Sequence, residues 1–274
     1  MTEIETSGDR GRQFVTALAR GLEVLRAYRP GEIALGNQEI AQRTGLPKPT
    51  VTRLTYTLCE LGYLVHLPRH GGYQLGPAVL GLGYTMLSGL EVRDRARPLI
   101  RTLADKVDCA VALGMRDRMN LVYVECARGC GRITLSLDVG SRIPLAKTAM
   151  GRAVFVGMAR EEREAVLAEL KEREADDYAG LAEGLQRAVE DFEALGFVCS
   201  FGDWQREVHA VGVPLTLPGE EQSYALNAGG PAFLKDPQHM RDVVGPELVQ
   251  LARLLSSVPM ASVPMTSLPM EQAS

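Results

Sequence analysis

Between positions 13 and 76 the apolar residues fall into short periodic runs divided by Pro and Gly. Val15, Leu18, Leu22 and Leu25 recur at three- and four-residue steps, which predicts an amphipathic helix over 13–28, stopped by Pro30-Gly31. Asn37 reads as the N-cap of a second short helix, QEIAQRT, with Glu39 in its first turn and Gly45 closing it. A third helix starts at Pro47-Lys48-Pro49, where proline is tolerated because first-turn amides have no intrahelical acceptor. Its apolar positions Val51, Leu54, Leu58 and Leu61 line one side. Lys48, Thr50, Thr52, Arg53, Thr55 and Tyr56 fall on the remaining arc. After Gly62, the segments YLVHLP, RHGG and YQL predict a two-stranded hairpin with Arg69 and His70 at its tip.

Further on the texture changes. Residues 76–90 are apolar but dotted with Gly76, Gly81, Gly83 and Gly89, a composition that makes a weak isolated helix. It reads as a linker helix over 77–90, stabilised by packing at an interface. From Glu91 helical and strand-like runs intermix. Strands are expected at 109–115, 120–127, 132–145, 196–201, 208–217 and 222–231, with helices at 91–107, 148–158, 160–173, 180–195 and 240–256. Strands bunched at both ends predict one mixed sheet flanked by helices. The tail from 258 to 274 repeats a V/L-P-M unit without a core pattern and is expected to be disordered.

Composition narrows the function. The chain has 274 residues, long for one core, so two domains are expected. Net charge is −4, yet residues 10–76 hold nine Arg/Lys against four Glu. A basic block on an acidic remainder points to a polyanion partner for that block alone. No apolar run approaches the ~18–20 residues of a membrane span and no secretory signal opens the chain, so a cytoplasmic protein is expected, with no membrane partner. The five scattered cysteines read as reduced thiols. Cys126-x3-Cys130 lacks a histidine at zinc-finger spacing, so it reads as hairpin packing and no metal is expected. Neither G-x-S-x-G nor a P-loop occurs, and GLGYTM follows no strand–turn–helix unit. No catalytic residues and no cofactor are expected, and the chain does not read as an enzyme.

Helix, helix, tight turn, helix and hairpin make a winged helix-turn-helix over residues 10–76. The arc on the third helix then has a purpose. Thr hydroxyls and Lys bond phosphates and base edges, and Arg forks onto guanine. A merely solvated face would more often alternate Glu with Lys. The expected DNA contacts are Gln38, Lys48, Thr50, Thr52, Arg53, Thr55 and Tyr56, with Arg69 and His70 from the wing.

The motifs ARGLEVL, EIAQRTGLPKPTVTRL and LCELGYL, followed by VGSRIPLAKTAMGRAV, VHAVGVPL and ALNAGGP, resemble those of the IclR family of bacterial transcriptional regulators, over about residues 13–257. The resemblance implies an α+β protein of two domains: the winged helix-turn-helix, a linker helix, and a GAF-like mixed α/β effector-binding domain over 91–257. It also implies a homodimer, often a dimer of dimers, on a pseudo-palindromic operator in double-stranded DNA. A small carboxylic or aromatic acid effector would modulate binding.

In family members with a bound acid, backbone amides contact it at the segment matching Thr148 to Gly151, here assigned to Ala149 and Met150. That is sensible for amides at a helix start. Other contacts fall on positions matching Ser200, Ala210, Asn227 and Gly229. Where a well-known member carries Asp, Cys and Ser, this chain carries Ser200, Ala210 and Gly229, and it adds Trp204 and His209 near the expected rim. The change favours a larger, partly aromatic acid over a small keto acid. For His209 a satisfied structural histidine competes with effector contact. Asn227 is balanced between turn former and ligand contact. Trp204 stands between core cap and pocket wall. Arg128, Arg132 and Arg142 could clamp a carboxylate or be solvated loop charges. The alternative function is a ligand-independent, architectural DNA-binding protein with a structural dimerisation domain.

Overall fold

The computed structural model describes residues 14–131, 137–219 and 222–257. The expected tail, Arg132 and part of the predicted 132–145 strand lie outside the described residues. The chain divides into two compact units at Gly89 and Leu90.

The first unit contains α1 (Thr16–Arg26), α2 (Asn37–Thr44), α3 (Lys48–Glu60), strands β1 (Leu64–Leu67) and β2 (Gly72–Leu75), and α4 (Pro77–Ser88). Val24, Leu35, Ile40, Val51, Leu58 and Leu64 form its core. Gly45 at φ +68° makes the left-handed turn that joins α2 to α3, a conformation that penalises any side chain. β1 and β2 pair antiparallel, and Leu35 adds a single bridge to Tyr73.

Three expectations change here. At α1, the N-cap Val15 and residues Leu18 and Leu22 are exposed, whereas Val24 is buried and Leu25 packs against the core, so most of the expected apolar stripe faces away from it. Leu61 ends α3 as its C-cap and is 61% exposed, because the helix has left the core by then. Asn37 is the first residue of α2 rather than its cap, and its side chain is spent on α3 instead. No residue of α4 is buried, and Leu80, Leu82, Tyr84 and Met86 are exposed.

The second unit begins with α5 (Glu91–Val107), followed by β3 (Ala110–Asp117), β4 (Asn120–Ala127) and β5 (Arg142–Pro144). Helices α6 (Ala149–Gly157), α7 (Arg160–Arg173) and α8 (Tyr178–Leu195) lead to β6 (Val198–Phe201), β7 (Val208–Leu215) and β8 (Tyr224–Pro231). α9 (Pro237–His239), a π segment (Met240–Val244) and α10 (Gly245–Ser257) complete it. The sheet order is β5-β4-β3-β8-β7-β6. Every pairing is antiparallel, not mixed as the strand spacing implied. The helical excursion from β5 to β6 joins opposite edges of the sheet, so no parallel crossover between neighbours arises. α6 lies directly on the sheet: a Cβ at Gly212 would stand 2.4 Å from the Ala149 carbonyl oxygen. A larger residue there would lift the helix off.

Candidate nucleic-acid interface and ligand cavity

In the first unit, α3 buries Val51 and Leu58 and turns its other side to solvent. Lys48, Thr52, Arg53 and Tyr56 are exposed there and Thr50 is half-buried, while Gln38 is exposed in the first turn of α2. Lys48 Nζ donates to Gln38 Oε1 (3.2 Å), which links the first turns of α2 and α3. Arg69 and His70 stand exposed in the short 3-10 turn between β1 and β2.

Thr55 departs from this face. It is fully buried, and its hydroxyl donates toward Asn37 Oδ1 (3.3 Å) and the Thr52 carbonyl (3.1 Å). The apolar arc of α3 is wider than Leu and Val positions alone outline, so threonine four residues after Val51 falls inside it. Asn37 Nδ2 also donates to Thr52 Oγ1 (3.2 Å), holding α2 against α3. Beneath, Glu32 receives both guanidinium nitrogens of Arg43 (2.7 and 2.8 Å). Those bonds, with the Arg29 amide, lower the Glu32 carboxyl to about 2.

In the second unit, a small void of about 20 Å³ lies between α6 and the sheet. Thr148, Ala149, Ser200, Trp204, Ala210 and Asn227 line it, together with Tyr123. It is little more than the room for one water. Five of the eight expected effector residues therefore converge.

Thr148 caps α6: its Oγ1 accepts from the Gly151 amide (3.1 Å) and donates to the Pro144 carbonyl (2.8 Å). The Ala149 and Met150 amides lead the helix and have no intrahelical acceptor. The Ser200 hydroxyl is used on the Lys147 carbonyl (3.0 Å). Asn227, 7% exposed, donates through Nδ2 to Tyr123 Oη (3.1 Å), and its Oδ1 is buried with no partner among the described residues. Burial pushes the Tyr123 phenol up to about 12, so it stays neutral at ordinary pH.

Three expected residues take other places. His209 faces the opposite side of β7, because Val208 and Ala210 take the cavity side and strand side chains alternate. There its Nδ1 meets the Lys235 carbonyl (2.8 Å) and its ring stands edge-on to Phe201. The Met150 side chain is fully buried over the sheet, close to Gly114, and does not line the void. Gly229 sits in register between Ala110 and Ala210 and does not line the void.

Arg128 and Arg142 form no carboxylate clamp: Arg128 pairs with Asp138 and Arg142 with Asp117. α6 itself carries a buried cation, Arg152, which sequence reading did not single out. It is 5% exposed and donates to the Ala146 and Cys199 carbonyls and to Asp203 Oδ2 (2.7 Å). An arginine inside the apolar run TAMGRAVFVGM was the available signal.

Comparison with known proteins gives a consistent answer. Residues 17–68 match the IclR helix-turn-helix domain, and residues 84–256 match the C-terminal domain of the bacterial transcriptional regulator IclR. The HTH-type transcriptional regulator TsaQ1/TsaQ2 of Comamonas testosteroni is 34% identical over 247 residues, covering 89% of this chain and 88% of that protein. The crystal structure of an IclR family transcriptional regulator from Brucella abortus is 44% identical with a TM-score of 0.83, covering 93% and 98% of the two chains. The fold is also shared, at 20% identity and a TM-score of 0.66 over 88% and 97% of the chains, by an IclR homolog from Microbacterium hydrocarbonoxydans crystallised with 4-hydroxybenzoate. These relatives are transcriptional regulators, a class without catalytic activity. Both domain models, in order and over most of its length, place this chain in the IclR family of bacterial transcriptional regulators.

Proposed function

We propose that the protein binds a pseudo-palindromic operator as a homodimer, or dimer of dimers, and that a small organic acid in the α6 cavity modulates that binding. The observation that carries the DNA half is the outer face of α3. Lys48, Thr52, Arg53 and Tyr56 stand exposed there on a helix whose other side is held by Val51 and Leu58. Such a helix enters a major groove, with Arg69 and His70 on the flanking phosphates. The apolar surfaces of α1 (Val15, Leu18, Leu22) and α4 (Leu80, Leu82, Tyr84) are suited to a second copy.

The effector half rests on chemistry and on size. Helix-start amides favour an anion, and the unpaired Asn227 Oδ1 favours a ligand that donates to it. The Microbacterium homolog holds 4-hydroxybenzoate, a small aromatic acid that also carries a hydroxyl. A void of about 20 Å³ is too small for any such acid, since benzene alone fills a cavity of roughly 150 Å³. Binding therefore selects a form with parted walls, and that difference gives the ligand leverage on DNA affinity.

The test has two arms. Full-length protein should enrich a palindrome-like sequence from a random duplex pool at fixed salt. A screen of small aliphatic and aromatic acids should find one that raises the melting temperature and shifts operator affinity. A protein that selects a sequence but responds to no acid would be a ligand-independent binder.

A further inference from the structure

A second void, of about 10 Å³, lies beside the first, and the two share Tyr123, Leu137 and Asn227 as walls. The remainder of the second is lined mainly by small residues, among them Ala110, Ala112 and Ala127. The strand register supplies the floor. Ala110 pairs with Gly229 and Gly229 with Ala210, while Ala112 pairs with Asn227 and Asn227 with Gly212. Directly paired residues lie on one face of a sheet. The row Ala110–Gly229–Ala210 thus runs from the second void to the first with nothing larger than a methyl group on it. In the next row, between Ala112 and Gly212, Asn227 is the one long side chain, and it joins Tyr123 across the boundary. Its unpaired Oδ1 is buried at that boundary.

We infer that the two voids are halves of one binding site, built for an acid long enough to cross from one to the other. The inference rests on the acid-sensing reading above and goes on to name the ligand's form. Its carboxylate lies at the Ala149 and Met150 amides, a hydrogen-bond donor near its middle meets Asn227 Oδ1, and an apolar end lies over the alanines. Arg128 also borders the second void, but its guanidinium is bonded to the Leu137 carbonyl and to Asp138, so the far end need not be charged. Gly229 is then functional because it lacks a side chain.

Three acids separate the possibilities by calorimetry on the full-length protein: benzoate, 4-phenoxybenzoate and 4-anilinobenzoate. The last two share one length but differ at the bridge, where an ether oxygen accepts and an N–H donates. 4-Anilinobenzoate should bind about tenfold more tightly than 4-phenoxybenzoate, since the ether leaves a buried acceptor unpaired, and more tightly still than benzoate. Ala110→Leu, at a half-buried position, should weaken both two-ring acids about tenfold or more by filling the far half. Benzoate should stay within about twofold, while the ligand-free melting temperature falls, because a leucine overfills a void of about 10 Å³.

Benzoate bound more tightly than both two-ring acids would overturn the inference while leaving acid sensing intact. So would an ether bound as well as the amine, or an Ala110→Leu protein that weakens all three alike. Failure of all three acids, benzoate included, would also overturn the inference, whereas the acid-sensing reading falls only if the wider screen of aliphatic and aromatic acids finds none. The comparison of the unmodified protein with the three acids stands even if the variant does not fold.

Discussion

The outer face of α3 and the cavity under α6 are both built from polar side chains on a helix, but they use them oppositely. On α3, Lys48, Thr52, Arg53 and Tyr56 point into water, and their few bonds are local, such as Thr52 Oγ1 to the Lys48 carbonyl. Under α6, Thr148, Ser200 and Arg152 are buried, and nearly every donor is matched within the unit. The first surface awaits a partner, so its residues can be exchanged without disturbing the fold. The second is part of the fold, so its residues cannot. Substitutions on the two sides should therefore separate cleanly into binding effects and stability effects.

The largest effect should come from Asp203→Ala. Arg152 would keep its buried guanidinium and lose its carboxylate partner at 2.7 Å, and Arg187 would lose a more distant one. Stripping one partner from a fully buried pair costs about 3–5 kcal/mol. Asp203 retains 32% of its side-chain surface in water, which lowers the expected loss to about 2–4 kcal/mol. Urea unfolding of the second unit would read it, and a loss under about 1 kcal/mol would show that water replaces the carboxylate. Operator affinity of the folded fraction should hardly move.

Arg53→Ala should do the reverse. Specific DNA affinity should fall by about 1–3 kcal/mol if the guanidinium forks onto a base, with stability unchanged within about 0.5 kcal/mol. Gel shifts at fixed salt, paired with a melting curve, check both halves. Unchanged affinity would remove Arg53 from sequence readout.

The same division explains what could be read from the chain beforehand. The helix-turn-helix was legible because local signals fix it: Gly45 in the turn, prolines at the start of α3, and apolar residues three and four apart. The order of strands and helices in the second unit was equally legible. The sheet's pairing was not, because it depends on which edges the β5-to-β6 excursion joins. Site residues followed suit. His209 was misplaced since one step along a strand changes the face it serves, and Arg152 was missed because only folding brings Asp203 to it. Thr55 failed for a subtler reason, its hydroxyl hiding a methyl-bearing side chain that belongs in the core.

Thr55 gives the sharpest test of the boundary between the two kinds of surface. Thr55→Val keeps the shape but removes the hydroxyl that bonds toward Asn37 and the Thr52 carbonyl. The unit should lose about 1 kcal/mol, the net worth of one such hydrogen bond, and the folded protein should bind DNA as before. Thr52→Val, three residues earlier and exposed, should weaken binding and lose only about 0.5 kcal/mol of stability, since the Asn37 bond it removes is solvent-exposed and water can replace it. Were Thr55→Val to lower affinity without lowering stability, the buried assignment would be wrong.

The smallest effect is a shift in acid tolerance. An unpaired glutamate titrates near 4.5, whereas Glu32, bonded by Arg43 and the Arg29 amide, is held at about 2. Above pH 4.5 both folded and unfolded chains carry the carboxylate ionised, and the full contribution of the pair is present. As pH falls from 4.5 toward 2 the unfolded chain takes up the proton first, so stability declines across that window and the contribution is gone below it. Glu32→Gln should remove the pH dependence due to this group while leaving Arg43 its bonds to the Ala27 carbonyl and Glu39. The melting temperatures of the two proteins should then differ at pH 7 and converge toward pH 2. Curves that run parallel would mean that Glu32 keeps its proton affinity on unfolding, and that the Arg43 pair orients α2 without stabilising it.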